Sequence, residues 1–310
     1  MNDIALAGKA TSGLRPAPAG LAGSTALVVL GMHRSGTSAL TGVLHHLGVA
    51  LGGHLMPATV DNPRGYWEHA DIVKVHERLM ASLGWAWDDI RPLPPGFAHH
   101  AAARTAAAEL AAIIERDFAG VPLWGVKDPR LCRLLPLWQS LLAKEGVAPR
   151  YLLVLRHPLD VAASIAARDG IAVARGLVLW LGHLLDAERA TRGAPRVIVA
   201  YEELIGARGR RGGVDEGGGT LGLAWPRAGA AAEAGIDGFL APELRRRRAS
   251  EVPAGKLPDW VAAVYDAFQA RDPRLPQICD RIGSELAAAS ELFAPILAEA
   301  VHAFTGMRAQ

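Results

Sequence analysis

The stretch Ala26-Leu-Val-Val-Leu-Gly-Met-His-Arg-Ser-Gly-Thr-Ser38 decides the fold, because it joins an apolar run to a glycine-containing turn and a helical pattern. Residues 26–30 are short and apolar, as in a strand that is buried in a parallel sheet. After the turn, apolar residues recur at the spacing of one helix face, at Leu40, Val43, Leu44 and Leu47. A strand, a loop and a helix in this order form the first half of a βαβ unit.

The same alternation continues along the chain. Apolar runs predict further strands at 121–126, 151–155 and 196–200. Helical patterns lie at 102–118, 134–142, 158–167, 177–185 and 284–304. Strands that alternate with helices predict an α/β fold with a doubly wound, mostly parallel sheet flanked by helices.

The chain of 310 residues, half of them hydrophobic, is long enough for one large α/β domain. Composition predicts a flexible tail over 1–24 and a single domain over 25–310. Residues 206–235 are rich in Gly, Ala and Arg, which predicts an insertion with little fixed structure. The basic run Arg245–Arg248 is interpreted as a solvated face, or as a contact for an anionic acceptor.

Charge and cysteine content narrow the possible classes of protein. A formal net charge of +2 is too balanced for a nucleic-acid coat. Cys132 and Cys279 are far apart, which excludes a disulfide framework and fits a reducing compartment. The first 25 residues lack the apolar region of a signal peptide, and no apolar run elsewhere predicts a membrane span. We therefore expect a soluble, cytoplasmic protein, and the Ala-, Arg- and Gly-rich composition suggests a bacterial source.

The turn at 31–38 has the spacing of a phosphate-binding P-loop, with a glycine, four residues, a second glycine and then hydroxyls. Backbone amides in such a loop converge on phosphate oxygens, and the following helix adds positive potential. The lysine of nucleoside-triphosphate enzymes is replaced by Thr37, and the cation lies within the loop at Arg34. The loop therefore predicts an anion site that differs from that of a common ATPase.

Two further cations follow predicted strands. Lys127 ends the second strand, and Arg156 follows the third, with Ser164 eight residues later. The carboxyl ends of strands in an open α/β sheet lie at the edge where ligands bind. We therefore expect these groups to converge with the loop. The alternatives are a capping or ion-pairing role for Arg156 and a surface ion pair between Lys127 and Asp128.

These motifs resemble those of sulfotransferases that use 3′-phosphoadenosine-5′-phosphosulfate (PAPS). The loop resembles the family's 5′-phosphosulfate loop, and Arg156 with Ser164 resembles its 3′-phosphate motif. The stretches 127–129, Lys-Asp-Pro, and 62–68, Asn-Pro-Arg-Gly-Tyr-Trp-Glu, resemble bacterial members and the tyrosylprotein sulfotransferase branch. The likeness covers most of 26–205 and implies the P-loop-like sulfotransferase fold.

The resemblance implies roles for individual residues. Donor binding would fall to Gly31, His33, Arg34, Ser35, Gly36, Thr37, Ser38, Arg156 and Ser164. Lys127 and Arg34 would stabilise the leaving group, and Glu68 would be the catalytic base, with His69, then His33 and His54, in reserve. Substrate contacts are expected from Tyr66, Trp67, His69 and Arg130, the last of which would bind either donor or acceptor.

The expected reaction is transfer of a sulfuryl group from PAPS to a hydroxyl or amine, leaving 3′,5′-diphosphoadenosine, with no metal required. The acceptor stays open among small molecules, glycans, lipids and peptides, and no nucleic acid is expected. Eight tryptophans, several of them near 67–87, are interpreted mostly as core, with an acceptor cleft as the alternative. Two rival functions remain: a P-loop nucleotide-dependent kinase and a non-catalytic nucleotide-binding protein.

Overall fold

The core of the protein is a parallel β-sheet. The computed structural model describes residues 20–60, 62–206, 218–240 and 256–307. Within them the strands are β1 Thr25–Leu30, β2 Leu123–Lys127, β3 Ala148–Leu155 and β4 Arg196–Ala200. Their order across the sheet is β2-β1-β3-β4, and every pairing is parallel. The four strands that the sequence predicts are confirmed.

The interior strand β1 lies between two apolar cores. Its alternate residues Ala26, Val28 and Leu30 pack into one core. Leu27 and Val29 point the other way and pack into a second core. Because successive side chains of a strand face opposite sides of the sheet, helices must cover both faces. The predicted doubly wound α/β architecture is therefore confirmed.

Helices follow the strands as the periodicity predicts, although the structure adds helices that the sequence analysis did not propose. The predicted ones are α1 Thr37–His46, α3 Ala101–Phe118, α4 Leu131–Lys144, α5 Pro158–Asp169, α6 Val173–Ala190 and α10 Leu275–Met307. The added ones are α2 Ala70–Ser82, α7 Tyr201–Ile205, α8 Ala230–Phe239 and α9 Asp259–Gln269.

Helix α8 begins within the stretch 206–235, which was predicted to have little fixed structure. Its last residue, Phe239, packs over Gly42 of α1, where a Cβ would come within 2.1 Å of the ring. Gly235 in turn lies against the ring of His46. Close packing on α1 thus stabilises a helix whose two glycines, Gly235 and Gly238, lower its intrinsic helix propensity. The prediction of a loop is wrong for residues 230–235.

The start of the domain also differs from the prediction. Leu21 is buried, and the N–H of Gly23 donates to the carbonyl of Gly146 at 2.9 Å. Ser24 is buried and accepts a hydrogen bond from the indole of Trp124 at 3.1 Å. Residues 20–24 therefore belong to the packed domain and not to a flexible tail. Residues 1–19 and the run Arg245–Arg248 lie outside the described residues.

The structure bears on two further expectations, one about membrane-spanning helices and one about the two cysteines. In the part of the chain that the structure describes, no helix combines the length and apolarity needed to cross a membrane. Cys132 and Cys279 are both buried, and neither forms a disulfide. Burial raises the pKa of each thiol to about 12, which makes both poor nucleophiles.

Candidate active site

The loop between β1 and α1 owes its shape to two glycines. Gly31 has a φ of 150°, and a Cβ there would lie 3.0 Å from the methyl group of Thr37. Gly36 has a φ of 96°, and its Cβ would lie 2.2 Å from the ring of Tyr201. Both positions therefore favour glycine for space and for backbone conformation. Helix α1 begins directly afterwards, at Thr37.

Hydrogen bonds fix the base of this loop. The N–H of Gly31 donates to Sγ of Cys132 at 3.1 Å, and the N–H of Ser35 donates to the carbonyl of Met32 at 3.1 Å. Arg34 has a φ of 69°, which is uncommon for a residue with a side chain and recurs at functional sites. The first amides of α1 have no partners within the helix, so they can bind an anion.

The cations of two separate motifs meet beside the loop. Nε of Arg34 donates to Oγ of Ser164 at 2.9 Å, and Nη1 of Arg156 donates to the carbonyl of Arg34 at 2.9 Å. The guanidinium of Arg156 lies over the ring of Tyr201, 4.6 Å from its centre. Arg156 is buried, and its Nη2 lies 3.9 Å from Oδ2 of Asp160, so the ion-pairing alternative is compatible with the structure. The structure thus brings together the predicted loop, Arg156 and Ser164.

Lys127 and Glu68 form a buried ion pair at the opposite side of the loop. Nζ of Lys127 lies 2.5 Å from Oε1 of Glu68, and it also donates to Oγ of Ser38 at 3.1 Å and to the carbonyl of Tyr66 at 3.0 Å. Burial raises the pKa of Glu68, although the charge of Lys127 acts in the other direction. The alternative of a surface pair between Lys127 and Asp128 is wrong, because both side chains are buried and have other partners.

Asp128 accepts hydrogen bonds from another cationic residue of the site, Arg130. Its Oδ1 accepts hydrogen bonds from the backbone N–H of Arg130 at 2.9 Å and from Nη1 of the same residue at 3.0 Å. Its Oδ2 lies 2.8 Å from Nδ1 of His76. Burial by itself would raise the pKa of Asp128, but Arg130 and His76 hold it well below the usual range. Nη2 of Arg130 donates to Oε1 of Glu77 at 2.6 Å.

Some predicted residues lie elsewhere. Nε2 of His69 is 2.5 Å from Asp117, and the side chain is buried away from the cleft. His54 contacts Asp71 at the surface. Trp67 packs against Phe239, with ring centres 5.8 Å apart. The structure therefore does not place the side chains of His69, His54 or Trp67 beside Lys127.

His33 does line the cleft, where its ring packs against Trp87 with centres 4.5 Å apart. Burial lowers the pKa of His33 well below its usual range. The imidazole is therefore a weak base, which leaves Glu68 as the stronger candidate among the residues proposed for that role.

A single cleft of about 520 Å³ joins these groups. The predicted residues that line it are His33, Arg34, Gly36, Thr37, Ser38, Tyr66, Glu68, Lys127, Arg130, Arg156 and Ser164. The sequence analysis assigned no site role to other lining residues, including Asn62, Glu77, Arg168, Tyr201 and Phe239. Tyr201 carried a usable signal, because it directly follows β4 at the carboxyl edge of the sheet. Trp87 in this wall favours the acceptor-cleft interpretation for that tryptophan, whereas Trp124, Trp138 and Trp180 belong to the core.

The arrangement suits a ligand with more than one anionic group. Every strand contributes at its carboxyl end: the loop follows β1, Lys127 ends β2, Arg156 follows β3 and Tyr201 follows β4. Within the described ranges, no group of three or more His, Cys, Asp and Glu side chains could hold a metal ion. Fold and cleft together define a parallel α/β protein with an anion-binding loop and cationic side chains at the ligand edge of its sheet.

Comparison with solved structures identifies the fold more closely. The chain is similar to the sulfotransferase domain from the Synechococcus PCC 7002 olefin synthase, with a TM-score of 0.50 and 17% identity over 83% of this chain and 98% of that one. No protein-family model and no curated protein matches the chain. At this identity the similarity shows the fold, so the predicted resemblance to sulfotransferases is confirmed for the architecture.

Two further sulfotransferase structures match less closely. The sulfotransferase domain from the curacin biosynthetic pathway has a TM-score of 0.41 and 14% identity over 85% of this chain and 98% of its own. Sulfotransferase STF1 from Mycobacterium tuberculosis H37Rv has a TM-score of 0.39 and 13% identity over 70% of this chain and 71% of its own.

Proposed function

We propose that the protein is a sulfotransferase that transfers a sulfuryl group from PAPS to a hydroxyl or amine acceptor. The observation that carries the proposal is the meeting of Arg34, Arg156, Ser164 and Lys127 around one loop at the carboxyl edge of the sheet. A donor with separate 5′ and 3′ anionic groups needs cations on both sides of such a loop. A sulfotransferase fold supports the same conclusion.

The proposed donor site has two parts. The amides at the start of α1, with the hydroxyls of Thr37 and Ser38, would bind the 5′-phosphosulfate. Arg156 and Ser164 would bind the 3′-phosphate, with Arg34 between the two groups. Guanidinium groups match the geometry of phosphate oxygens, which favours arginine in this role.

The proposed reaction is an in-line displacement at sulfur. The acceptor oxygen or nitrogen forms a bond to sulfur, and the bond from sulfur to the bridging phosphate oxygen breaks. Glu68 takes the acceptor proton, and 3′,5′-diphosphoadenosine leaves with the electron pair on its phosphate oxygen. Lys127 and Arg34 stabilise the negative charge that grows on that oxygen.

The proposed acceptor carries a hydroxyl or an amine and belongs to one of four classes: small molecules, glycans, lipids or peptides. We further propose that the protein works in the bacterial cytoplasm, as a single domain over 25–310 and without a metal. Reduced, buried cysteines are compatible with that compartment.

Calorimetric titration tests the donor. The purified protein is titrated with 3′,5′-diphosphoadenosine in EDTA, with adenosine 5′-phosphosulfate, and with ATP plus magnesium. We expect tight binding of the 3′-phosphorylated ligand alone, unchanged by EDTA. Binding of ATP with magnesium in its place would overturn the proposal and support a kinase.

A second measurement separates an enzyme from a binding protein. Incubation with PAPS labelled in the sulfuryl group, with a panel of phenols, sugars and amines, reports transfer directly. Tight binding of 3′,5′-diphosphoadenosine without any transfer or any release of sulfate would support a non-catalytic nucleotide-binding protein.

A further inference from the structure

A chain of buried hydrogen bonds leads from the core to the cleft. Nε1 of Trp138 donates to Nε2 of His76 at 2.8 Å, and Nδ1 of His76 lies 2.8 Å from Oδ2 of Asp128. Oδ1 of Asp128 accepts from Nη1 of Arg130 at 3.0 Å. Trp138, His76 and Asp128 have no exposed surface, and Arg130 reaches the cleft.

The partners of His76 determine its tautomer. An indole N–H can only donate, so Nε2 of His76 must accept and carries no proton. The proton therefore lies on Nδ1, where it is donated to Asp128. In the other tautomer two N–H groups would face each other at Trp138, and Asp128 would lose a donor in a fully buried position. Trp138 thus selects the tautomer that supports Asp128.

Asp128 in turn fixes the direction of Arg130. The same carboxylate oxygen accepts from the backbone N–H and from Nη1 of Arg130, so it holds both ends of the side chain. Sheet order puts β2, which ends at Lys127, on one side of β1, whereas β3 leads to Arg156 on the other side. Arg130 therefore lies on the side of the Lys127 and Glu68 pair, away from the proposed 3′-phosphate site.

We propose that His76, Asp128 and Trp138 are positioning residues that orient Arg130 toward the sulfuryl group of the donor. The inference rests on the proposed function and adds a role for three side chains that do not touch the ligand themselves. Groups held by a buried hydrogen-bond network keep their direction before the ligand arrives, which is how positioned charges act in catalysis.

Comparison of two ligands tests this proposal, because PAPS and 3′,5′-diphosphoadenosine differ only by the sulfuryl group. His76→Leu removes the donor to Asp128, and His76→Asn restores an amide donor near the position of Nδ1. Trp138→Phe removes the indole N–H together with part of the buried ring. The matched control is His183→Leu, since His183 is equally buried but its Nδ1 donates within its own helix, to the carbonyl of Leu179 at 2.7 Å.

We expect His76→Leu to weaken binding of PAPS about tenfold and to change the affinity for 3′,5′-diphosphoadenosine less than about twofold. His76→Asn recovers part of the loss, and His183→Leu leaves the ratio of the two affinities unchanged. An equal change for both ligands, or none, in a folded His76→Leu variant overturns the proposal.

The tautomer supplies a readout that needs no ligand. Nitrogen-15 NMR of the wild-type protein should show His76 as a neutral imidazole with its proton on Nδ1, and Trp138→Phe should lose that single form. A proton on Nε2 of His76 in the wild type would contradict the proposed hydrogen-bond chain from Trp138 to Arg130. If the wild type binds neither ligand, the proposed function fails. The NMR result would still decide whether the hydrogen-bond chain from Trp138 to Arg130 exists.

Discussion

Nζ of Lys127 lies 2.5 Å from Oε1 of Glu68, and both side chains are buried. The proposed base and a proposed cation for the leaving group therefore belong to one ion pair. A proton taken up by Glu68 removes its negative charge and weakens its hold on Lys127. The ammonium group is then available to the charge that grows on the leaving oxygen, so proton transfer and charge stabilisation are coupled in the proposed reaction.

This pair predicts the acid side of the pH profile. Burial raises the pKa of Glu68 above its ordinary value of 4.5, and only the carboxylate can accept a proton. We expect kcat/KM to fall as the pH decreases through a pKa above 4.5. Glu68→Gln should lower the rate about 10²- to 10⁴-fold and remove that limb. A variant that keeps both the rate and the limb would exclude Glu68 as the base.

Arg156→Ala tests the proposed 3′-phosphate site. Loss of a charged hydrogen-bond donor removes about 1.5–3 kcal/mol, which corresponds to a roughly tenfold to hundredfold weaker Kd for 3′,5′-diphosphoadenosine. Adenosine 5′-phosphosulfate, which lacks the 3′-phosphate, should lose much less. Arg281→Ala is the matched control, because Arg281 is exposed and its ion pair joins Glu285 on its own helix. Equal losses for both ligands would place Arg156 elsewhere in the site.

The sequence predicted the parts of the fold and site that depend on local pattern. Apolar runs located the strands, and β1 with its glycine turn located the loop. Cations that follow strands were expected at one edge because parallel strands end together, and Arg34, Lys127 and Arg156 do meet there. Helix α8 was missed because the Gly-rich segment before it suggested a loop, and because local composition does not record the packing of Phe239 over Gly42.

Contacts between distant side chains were beyond prediction. His76 lies 52 residues from Asp128 and 62 from Trp138, and no local pattern links them. His69 directly follows Glu68 in sequence, but its side chain points to Asp117 and not into the cleft. Whether the side chain of Glu68 or that of His69 faces the cleft depends on the path of the backbone between α1 and α2.

Gly36→Ala tests the shape of the loop. The new Cβ would lie 2.2 Å from the ring of Tyr201, at a backbone φ of 96° that favours glycine. We expect destabilisation and loss of ligand binding in Gly36→Ala. Gly84→Ala is the control, since Gly84 also has a positive φ, 72°, but has open space around its Cβ position. A Gly36→Ala protein with the stability and ligand affinity of the wild type would contradict this account of the loop.

Asp128→Asn tests how much the buried network stabilises the fold. The carboxylate is fully buried, and its loss leaves the charge of Arg130 without its inner partner. Breaking a buried pair in this way costs about 3–5 kcal/mol, measurable as the free energy of unfolding in urea.

Because the pKa of Asp128 is lowered in the folded state, its stabilisation is present above the ordinary carboxyl pKa and is lost as the pH falls. The variant should therefore lose less stability in acid than the wild type does. Glu285→Gln, at an exposed pair, should change neither quantity, and an Asp128→Asn protein as stable as the wild type would contradict a structural role for the network.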